Sequence, residues 1–156
     1  MTPMAPTRPT RPAGPPLPVS QHQCRIPLLA DLAAAAGARS VVEDAIRAWR
    51  VPVDADVAVL LTSELVTNAI AHEPGGTVTL HVSSAGGQLR VEVLDTCPHL
   101  PVLANAAAEA PADAETGRGL MLVATLAASW GCDRAPTGKA VWFELDPAAL
   151  DAVSVR

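Results

Sequence analysis

At 156 residues with a net charge of −5, the chain has the length of about one ordinary domain and is acidic. That charge argues against a nucleic-acid binder that works by neutralising phosphates, because such proteins need a basic face. The hydrophobic fraction of 49% with only 3% aromatic residues predicts an aliphatic core, whose large side chains are those of Trp49, Trp130, Trp142 and Phe143.

The sequence also lacks the signals of membrane and metal proteins. No apolar run approaches the roughly 18 residues of a membrane span, and the start has no apolar secretory region. Cys24, Cys97 and Cys132 are far apart and show neither zinc-site nor disulfide-framework spacing. The only lysine, Lys139, falls in a predicted turn, where we expect it to be solvated. These features predict a cytoplasmic protein without direct nucleic-acid or membrane partners.

The first segment is a predicted tail over residues 1–22. Seven of the first 18 residues are proline, and such a composition cannot bury enough apolar surface to order itself. A disordered extension is favoured over a recognition arm. The ordered domain is predicted over residues 23–150, with residues 151–156 as a second tail.

Two helices follow a short predicted strand over Cys24–Leu29. The first spans Ala38–Trp49 and ends before Pro52, because proline disfavours a helical conformation in the preceding residue. The second spans Asp54–His72, with Asp54 as its N-cap and a Pro-Gly-Gly sequence after its end.

A strand hairpin is predicted next, over Thr77–Val82 and Gln88–Asp95. Apolar residues alternate with polar ones in both segments, and Gly86-Gly87 supplies the turn. One buried and one polar face is the pattern of an antiparallel sheet covered by helices on one side. The residues Thr96–Thr116 then read as a long loop, of the kind that is functional or disordered.

The last part of the chain predicts a helix and a second hairpin. The helix covers Leu120–Ser129 and comes directly after Gly117-Arg118-Gly119. Strands over Trp130–Arg134 and Ala140–Leu145 close the domain. The predicted fold class is α+β, a two-layer α/β sandwich with a mixed, mostly antiparallel sheet and helices on one face.

The second helix carries the first candidate site. Its predicted core stripe is formed by Val57, Leu60, Leu61 and Leu65. Glu64 follows the first three of these by seven, four and three residues respectively, so it falls on the same face of the helix. Asn68 comes one turn later on the same line. Polar groups on a core-facing stripe are costly unless they are satisfied. Either both side chains are tied to backbone groups or reach solvent by a rotation of the helix, or this face lines a polar pocket.

The second explanation has a chemistry. A carboxylate in a partly dry site can deprotonate a hydroxyl or a water, and an asparagine oxygen can ligate magnesium. Gly117-Arg118-Gly119 before a helix can present free N–H groups to an anion, and Asp95 at a strand end can face a bound base. Each of these two features alone is weak. The order and approximate spacing of all three, counted with the Glu64 and Asn68 pair, is the stronger signal.

Four segments resemble the GHKL ATPases, the superfamily of DNA gyrase B, Hsp90, histidine kinases and MutL. Leu61–Ala69 resembles the first ATP box, Val91–Asp95 the second and Gly117–Leu120 the third. Gly138–Leu145 is similar to the closing strand of the single-domain anti-sigma-factor serine kinases and their actinobacterial relatives. The first and last segments are the most specific. The resemblance implies the Bergerat ATP-binding fold.

The resemblance also implies roles for individual residues. Glu64 corresponds to the general base, Asn68 to the ligand of Mg²⁺, and Asp95 to the acceptor for the adenine amino group. The implied cofactors are therefore ATP and Mg²⁺. Kinases of this kind phosphorylate a serine on a small antagonist protein and sequester a sigma factor, often as homodimers.

The third box supplies the implied lid over the phosphates. Gly117 and Gly119 correspond to its glycines, and the implied nucleotide-binding segment comprises Gly117, Arg118, Gly119 and Leu120. Arg118 can touch a phosphate or stand exposed on the lid, and the sequence favours neither.

Two departures from the family pattern keep alternative functions open. The second box reads Asp95-Thr96-Cys97-Pro98-His99 where the wider superfamily has Asp-x-Gly-x-Gly, and Ala140 stands where relatives commonly carry threonine. The leading hypothesis is an ATP-dependent serine/threonine protein kinase. The alternatives are a non-catalytic nucleotide sensor and a partner-binding module that has lost nucleotide.

Overall fold

The computed structural model describes residues 21–72, 75–96, 115–136 and 138–148. Both predicted tails lie almost wholly outside these residues, as does most of the loop predicted over Thr96–Thr116. The described part forms three helices and five strands. In chain order these are β1 His22–Leu29, α1 Ala34–Trp49, α2 Ala55–His72, β2 Thr77–Ala85, β3 Gln88–Asp95, α3 Glu115–Leu126, β4 Ser129–Ala135 and β5 Gly138–Leu145.

The five strands form one sheet in the order β1-β2-β3-β5-β4, and every described pairing is antiparallel. The predicted sheet was mixed and mostly antiparallel, so the mixed part is not seen in the described strands. Strand β3 has the predicted bounds, and β2 extends three residues past its predicted end. Gly86 and Gly87 have φ angles of 61° and 81°, the positive values that a two-residue hairpin turn requires.

The three helices cover one face of this sheet, with α2 in contact with both α1 and α3. The helix-facing rows of the central strands are apolar and fully buried, as in Val82, Val91 and Phe143. The result is the predicted α+β sandwich, with its core between the helix layer and the sheet.

Asp54 caps α2 as predicted. Its Oδ1 accepts a hydrogen bond of 3.1 Å from the backbone N–H of Val57. The core stripe of α2, however, is rotated from the prediction, because Leu60 is 41% exposed. The residues that α2 buries in the core are Ala58, Leu61, Leu65, Val66 and Ala69.

The other face of the sheet is polar, and Trp142 lies there instead of in the predicted core. The Arg90 guanidinium carbon lies 4.1 Å from the centroid of the Trp142 ring. The Arg90 nitrogens lie 3.8 Å from Glu92 and 3.7 Å from Glu144, and Ser129 Oγ donates to Glu144 over 2.6 Å. We call Arg90, Glu92, Trp142 and Glu144 the open-face cluster. Phe143, by contrast, is fully buried, and Trp49 and Trp130 pack against the core.

Candidate functional site

Asn68 lies one turn before the end of α2 and is only 4% exposed. Its Oδ1 has no hydrogen-bond partner among the described residues. A buried amide oxygen without a partner is costly, and a bound ligand or water can supply the missing contact. An amide oxygen is one of the ligand types that magnesium accepts in proteins. Asn68 therefore fits the metal that the sequence implied, and the negative end of the α2 dipole nearby favours a cation.

Glu64 lies one turn earlier on α2 and is half-buried. It follows Leu61 by three residues and precedes Asn68 by four, so the two polar side chains share one edge of the buried stripe. The structure places the two polar side chains differently. Asn68 faces inward, and Glu64 lies at the boundary between core and solvent. A carboxylate at such a boundary can meet both a bound ligand and a molecule that approaches from solvent.

Asp95 ends β3 on the helix-facing side of the sheet and forms a buried ion pair with Lys139. The Lys139 Nζ lies 3.0 Å from Asp95 Oδ2, and both side chains are almost completely buried. The prediction that Lys139 is solvated is therefore wrong. Lys139 belongs to β5, where it lies directly opposite Asp95 in the register, so its side chain points into the helix-facing layer.

Gly138 allows β5 to approach the end of β3. A Cβ atom at this position would overlap the backbone carbonyl oxygen of Asp95 and lie 2.6 Å from the Cα of Thr96. Both obstacles are backbone atoms, which cannot move aside as a flexible side chain can. The absence of a side chain at Gly138 thus allows Lys139 to lie beside Asp95.

Replacement of Gly138 with alanine is expected to lower the free energy of unfolding by about 1–3 kcal/mol, the usual cost of overpacking. Urea unfolding followed by circular dichroism measures it. The matched control is Gly37→Ala, whose new Cβ meets only Leu28 at 3.8 Å inside α1. Because alanine favours helix over glycine by about 1 kcal/mol, that control should gain stability. Equal effects of the two changes would contradict the close approach at Gly138.

Asn68 and Asp95 lie at the same end of the sandwich. Strand β2 begins at Thr77 shortly after α2 ends, and Thr79 pairs with Leu94, so the start of β2 lies beside the end of β3. Asn68 is one turn from the end of α2. The short connection therefore brings the metal-ligand candidate and the base-acceptor candidate to one edge.

The glycine segment of the third box lies at this end as well. Leu126, the last residue of α3, and Val57, near the start of α2, line one surface cleft, and the two helices pack together. The helices therefore run in opposite directions. At 1.5 Å rise per residue, Gly119 lies about 10 Å before Leu126, and Glu64 lies about 10 Å beyond Val57. This arrangement sets Gly117–Gly119 alongside the Glu64 and Asn68 edge.

The boundaries of α3 differ from the prediction. The helix begins at Glu115, so Gly117-Arg118-Gly119 is helical backbone in its first turns and not a turn before the helix. It ends at Leu126, because Ser129 already starts β4. Leu120 is buried in the core. The side chain of Arg118 and the residues Cys97–His99 of the second box lie outside what the structure describes.

Cys132 lies on β4, opposite Val141, close enough to the buried pair for both of its charges to act on the thiol. Burial raises the pKa of Cys132 to about 11; the Lys139 charge opposes that shift, whereas Asp133 and Asp95 add to it. A neutral, partly buried thiol is a poor nucleophile and a poor metal ligand. Within the described ranges, no group of three or more His, Cys, Asp or Glu side chains could hold a metal ion.

Sequence reasoning missed Lys139, although a signal was present. Lys139, Val141 and Phe143 alternate along the last strand in the period of one strand face. Extending the predicted strand by one residue would have placed Lys139 on the buried face.

None of the helices in the described ranges has the length and apolar content that crossing a membrane requires. No curated protein matches the chain. Among solved structures, the crystal structure of the RsbU and RsbW domains of Rv1364c from Mycobacterium tuberculosis is similar, with a TM-score of 0.58 and 19% identity. The match covers 80% of this chain and 32% of that one, and at this identity it shows a shared fold.

The family comparison shows which family the chain belongs to. The model of the histidine kinase-like ATPase domain matches residues 28–145. This range contains Glu64, Asn68, Asp95 and the glycine segment, together with strands β2 to β5 and the last two residues of β1. The resemblance drawn from the four sequence segments is confirmed, and the chain belongs to the family of histidine kinase-like ATPase domains.

Proposed function

We propose that this chain is an ATP-dependent serine/threonine protein kinase that regulates transcription by phosphorylating a small antagonist protein. The observation that carries the proposal is the buried Oδ1 of Asn68, which has no partner among the described residues, at the same end of the domain as Asp95. A metal-bound triphosphate supplies what that oxygen lacks. Membership of the ATPase family supports the same ligand.

In the proposed reaction, Asn68 would ligate Mg²⁺, and the bound ion would neutralise charge on the phosphates. The first turn of α3 faces the phosphates with the N–H groups that a helix leaves unpaired at its start, and the positive end of the helix dipole adds to the attraction. Asp95 accepts a hydrogen bond from the adenine amino group. These three elements orient the nucleotide with its γ-phosphate toward Glu64.

Glu64 acts as the general base. It takes the proton from the serine hydroxyl of the antagonist as the serine oxygen bonds to the γ-phosphorus and the bond to the ADP oxygen breaks. Its place at the boundary of core and solvent gives an incoming protein access to the carboxylate. The proposed partners are therefore a small antagonist protein and a sigma factor.

A nucleotide sensor without catalysis is the second candidate. Two observations favour it: Ala140 lacks the hydroxyl that relatives commonly carry there, and Asp95 is already engaged by Lys139. Under this reading the chain binds ATP and a protein partner but transfers no phosphate.

Thermal unfolding with ATP and Mg²⁺ tests the nucleotide site. At ATP concentrations about 100 times the dissociation constant, the wild type should gain about 2.7 kcal/mol, which raises Tm by several degrees. Asn68→Ala should lose the magnesium-dependent part of that gain. The matched control is Thr67→Ala, an exposed neighbour on the same helix, which should respond as the wild type does. A wild type that ATP and Mg²⁺ leave unchanged would refute both nucleotide-binding functions.

A further inference from the structure

The only lysine of the chain is completely buried, and its ammonium lies 3.0 Å from the carboxylate proposed to read the base. Burying both charges is expensive, and a buried ion pair often adds nothing over apolar side chains of similar volume. Stability alone therefore does not explain why a cation is placed at this position. The neighbouring pairs in the same rows, Val93 with Val141 and Val91 with Phe143, are apolar.

The position of Lys139 is fixed on two sides. Its backbone is paired with Asp95 in the β3–β5 register, and Gly138 lets the two strands meet without a side chain between them. An ammonium held in this way determines where the Asp95 oxygens point. A carboxylate in a fixed orientation discriminates between hydrogen-bond donors and acceptors better than a mobile one does.

We infer that Lys139 is a positioning residue of the nucleotide site and sets its preference for a base with a 6-amino group. This inference rests on the proposed nucleotide binding. The Lys139 ammonium holds one Asp95 oxygen and thereby orients the carboxylate toward the bound base. Adenine offers an N–H at position 6, which the carboxylate accepts. Hypoxanthine carries an oxygen at that position, which the carboxylate repels.

The test is the ratio of the dissociation constants of inosine triphosphate and ATP, measured by calorimetry with Mg²⁺. We expect a ratio of about 10 to 150 in the wild type, with ATP bound more tightly, because this is the contribution of one hydrogen bond to a charged group. Lys139→Met should lower the ratio, because the Asp95 carboxylate then has no ammonium to fix its orientation. A purely structural lysine would weaken both nucleotides alike and leave the ratio unchanged.

Two further variants make the result decisive. Lys139→Arg keeps a cation beside Asp95, so the domain can fold even where Lys139→Met does not. Its forked guanidinium takes both carboxylate oxygens, and the ratio should fall at least about threefold. The matched control is Arg90→Met in the open-face cluster, which removes a cation paired with carboxylates on the other side of the sheet and should keep the wild-type ratio.

The outcomes separate the two proposals. A fall of the ratio in either folded Lys139 variant supports the inference. A wild type that prefers ATP, with the same ratio in every folded Lys139 variant, overturns the inference and leaves nucleotide binding intact. A wild type that binds neither nucleotide refutes the proposed function, and the role of Lys139 with it.

Discussion

Replacement of Lys139 with methionine is expected to lower the free energy of unfolding by about 3–5 kcal/mol, the cost of breaking one buried ion pair. The change removes the ammonium beside Asp95 and leaves a carboxylate in the core without that compensation. Methionine has a similar length, so the loss reflects charge more than volume. Urea unfolding followed by circular dichroism gives the free energy directly.

Two controls distinguish a buried pair from an ordinary loss of charge. The double variant Asp95→Asn, Lys139→Met removes both charges of the pair and should recover most of the lost stability, since neither charge is then left without its partner. Arg90→Met in the open-face cluster should cost about 1 kcal/mol, because its ion pairs are partly exposed and are joined by a cation–π contact. If Lys139→Met is at least as stable as Arg90→Met, the ion pair of Asp95 and Lys139 contributes little to stability.

Substitution of Glu64 with glutamine should slow phosphate transfer by about 10²–10⁴-fold, the contribution typical of a general base. Glutamine keeps the shape of the side chain but cannot accept the serine proton. The dissociation constant for ATP with Mg²⁺ should stay within about threefold, since Asn68 and Asp95 are unchanged. Single-turnover transfer of radiolabelled phosphate to small antagonist proteins measures the rate.

Glu92→Gln is the matched control for this prediction, because Glu92 lies on the opposite face of the sheet with His81 and Arg90 as neighbours. It should transfer phosphate at the wild-type rate. Full activity of the Glu64 variant would assign the base to another residue. ATP binding without transfer in the wild type would favour the nucleotide sensor over the kinase.

The antiparallel sheet was the most predictable part of the fold. Alternation in β2 and β3 and the paired glycines at their turn specify the hairpin by local rules alone. The helix boundaries were less predictable. Glycine disfavours helix, so local rules excluded Gly117 and Gly119 from α3, whereas the structure includes them.

The core stripe of α2 was harder to assign, because Val57-Ala58-Val59-Leu60-Leu61 is apolar without interruption. Such a run fits several rotations of the helix equally well, and only packing against α1 and α3 decides among them. The prediction that Lys139 is exposed to solvent was wrong for a related reason. A charged residue in a turn-like sequence is normally solvated, and the partner that buries it comes from a strand 44 residues earlier.

The candidate site was predictable to the extent that it depends on spacing. Glu64 and Asn68 follow from a four-residue interval on one helix, and the structure places Asn68 inside and Glu64 at the boundary. The assembly of α2, β3 and α3 at one end depends on chain topology, which no local pattern contains. The roles proposed for these residues remain predictions for the experiments above.

The burial of Lys139 has a consequence for any chemistry directed at lysine. Within these 156 residues no other side chain carries a primary amine, and this one is closed to solvent while the domain is folded. Acylating reagents, acetyltransferases and conjugating enzymes can reach it only after the packing around the helix-facing side of β5 opens. A modification found at Lys139 would therefore show that the domain had opened, and the rate of modification would report how often it opens.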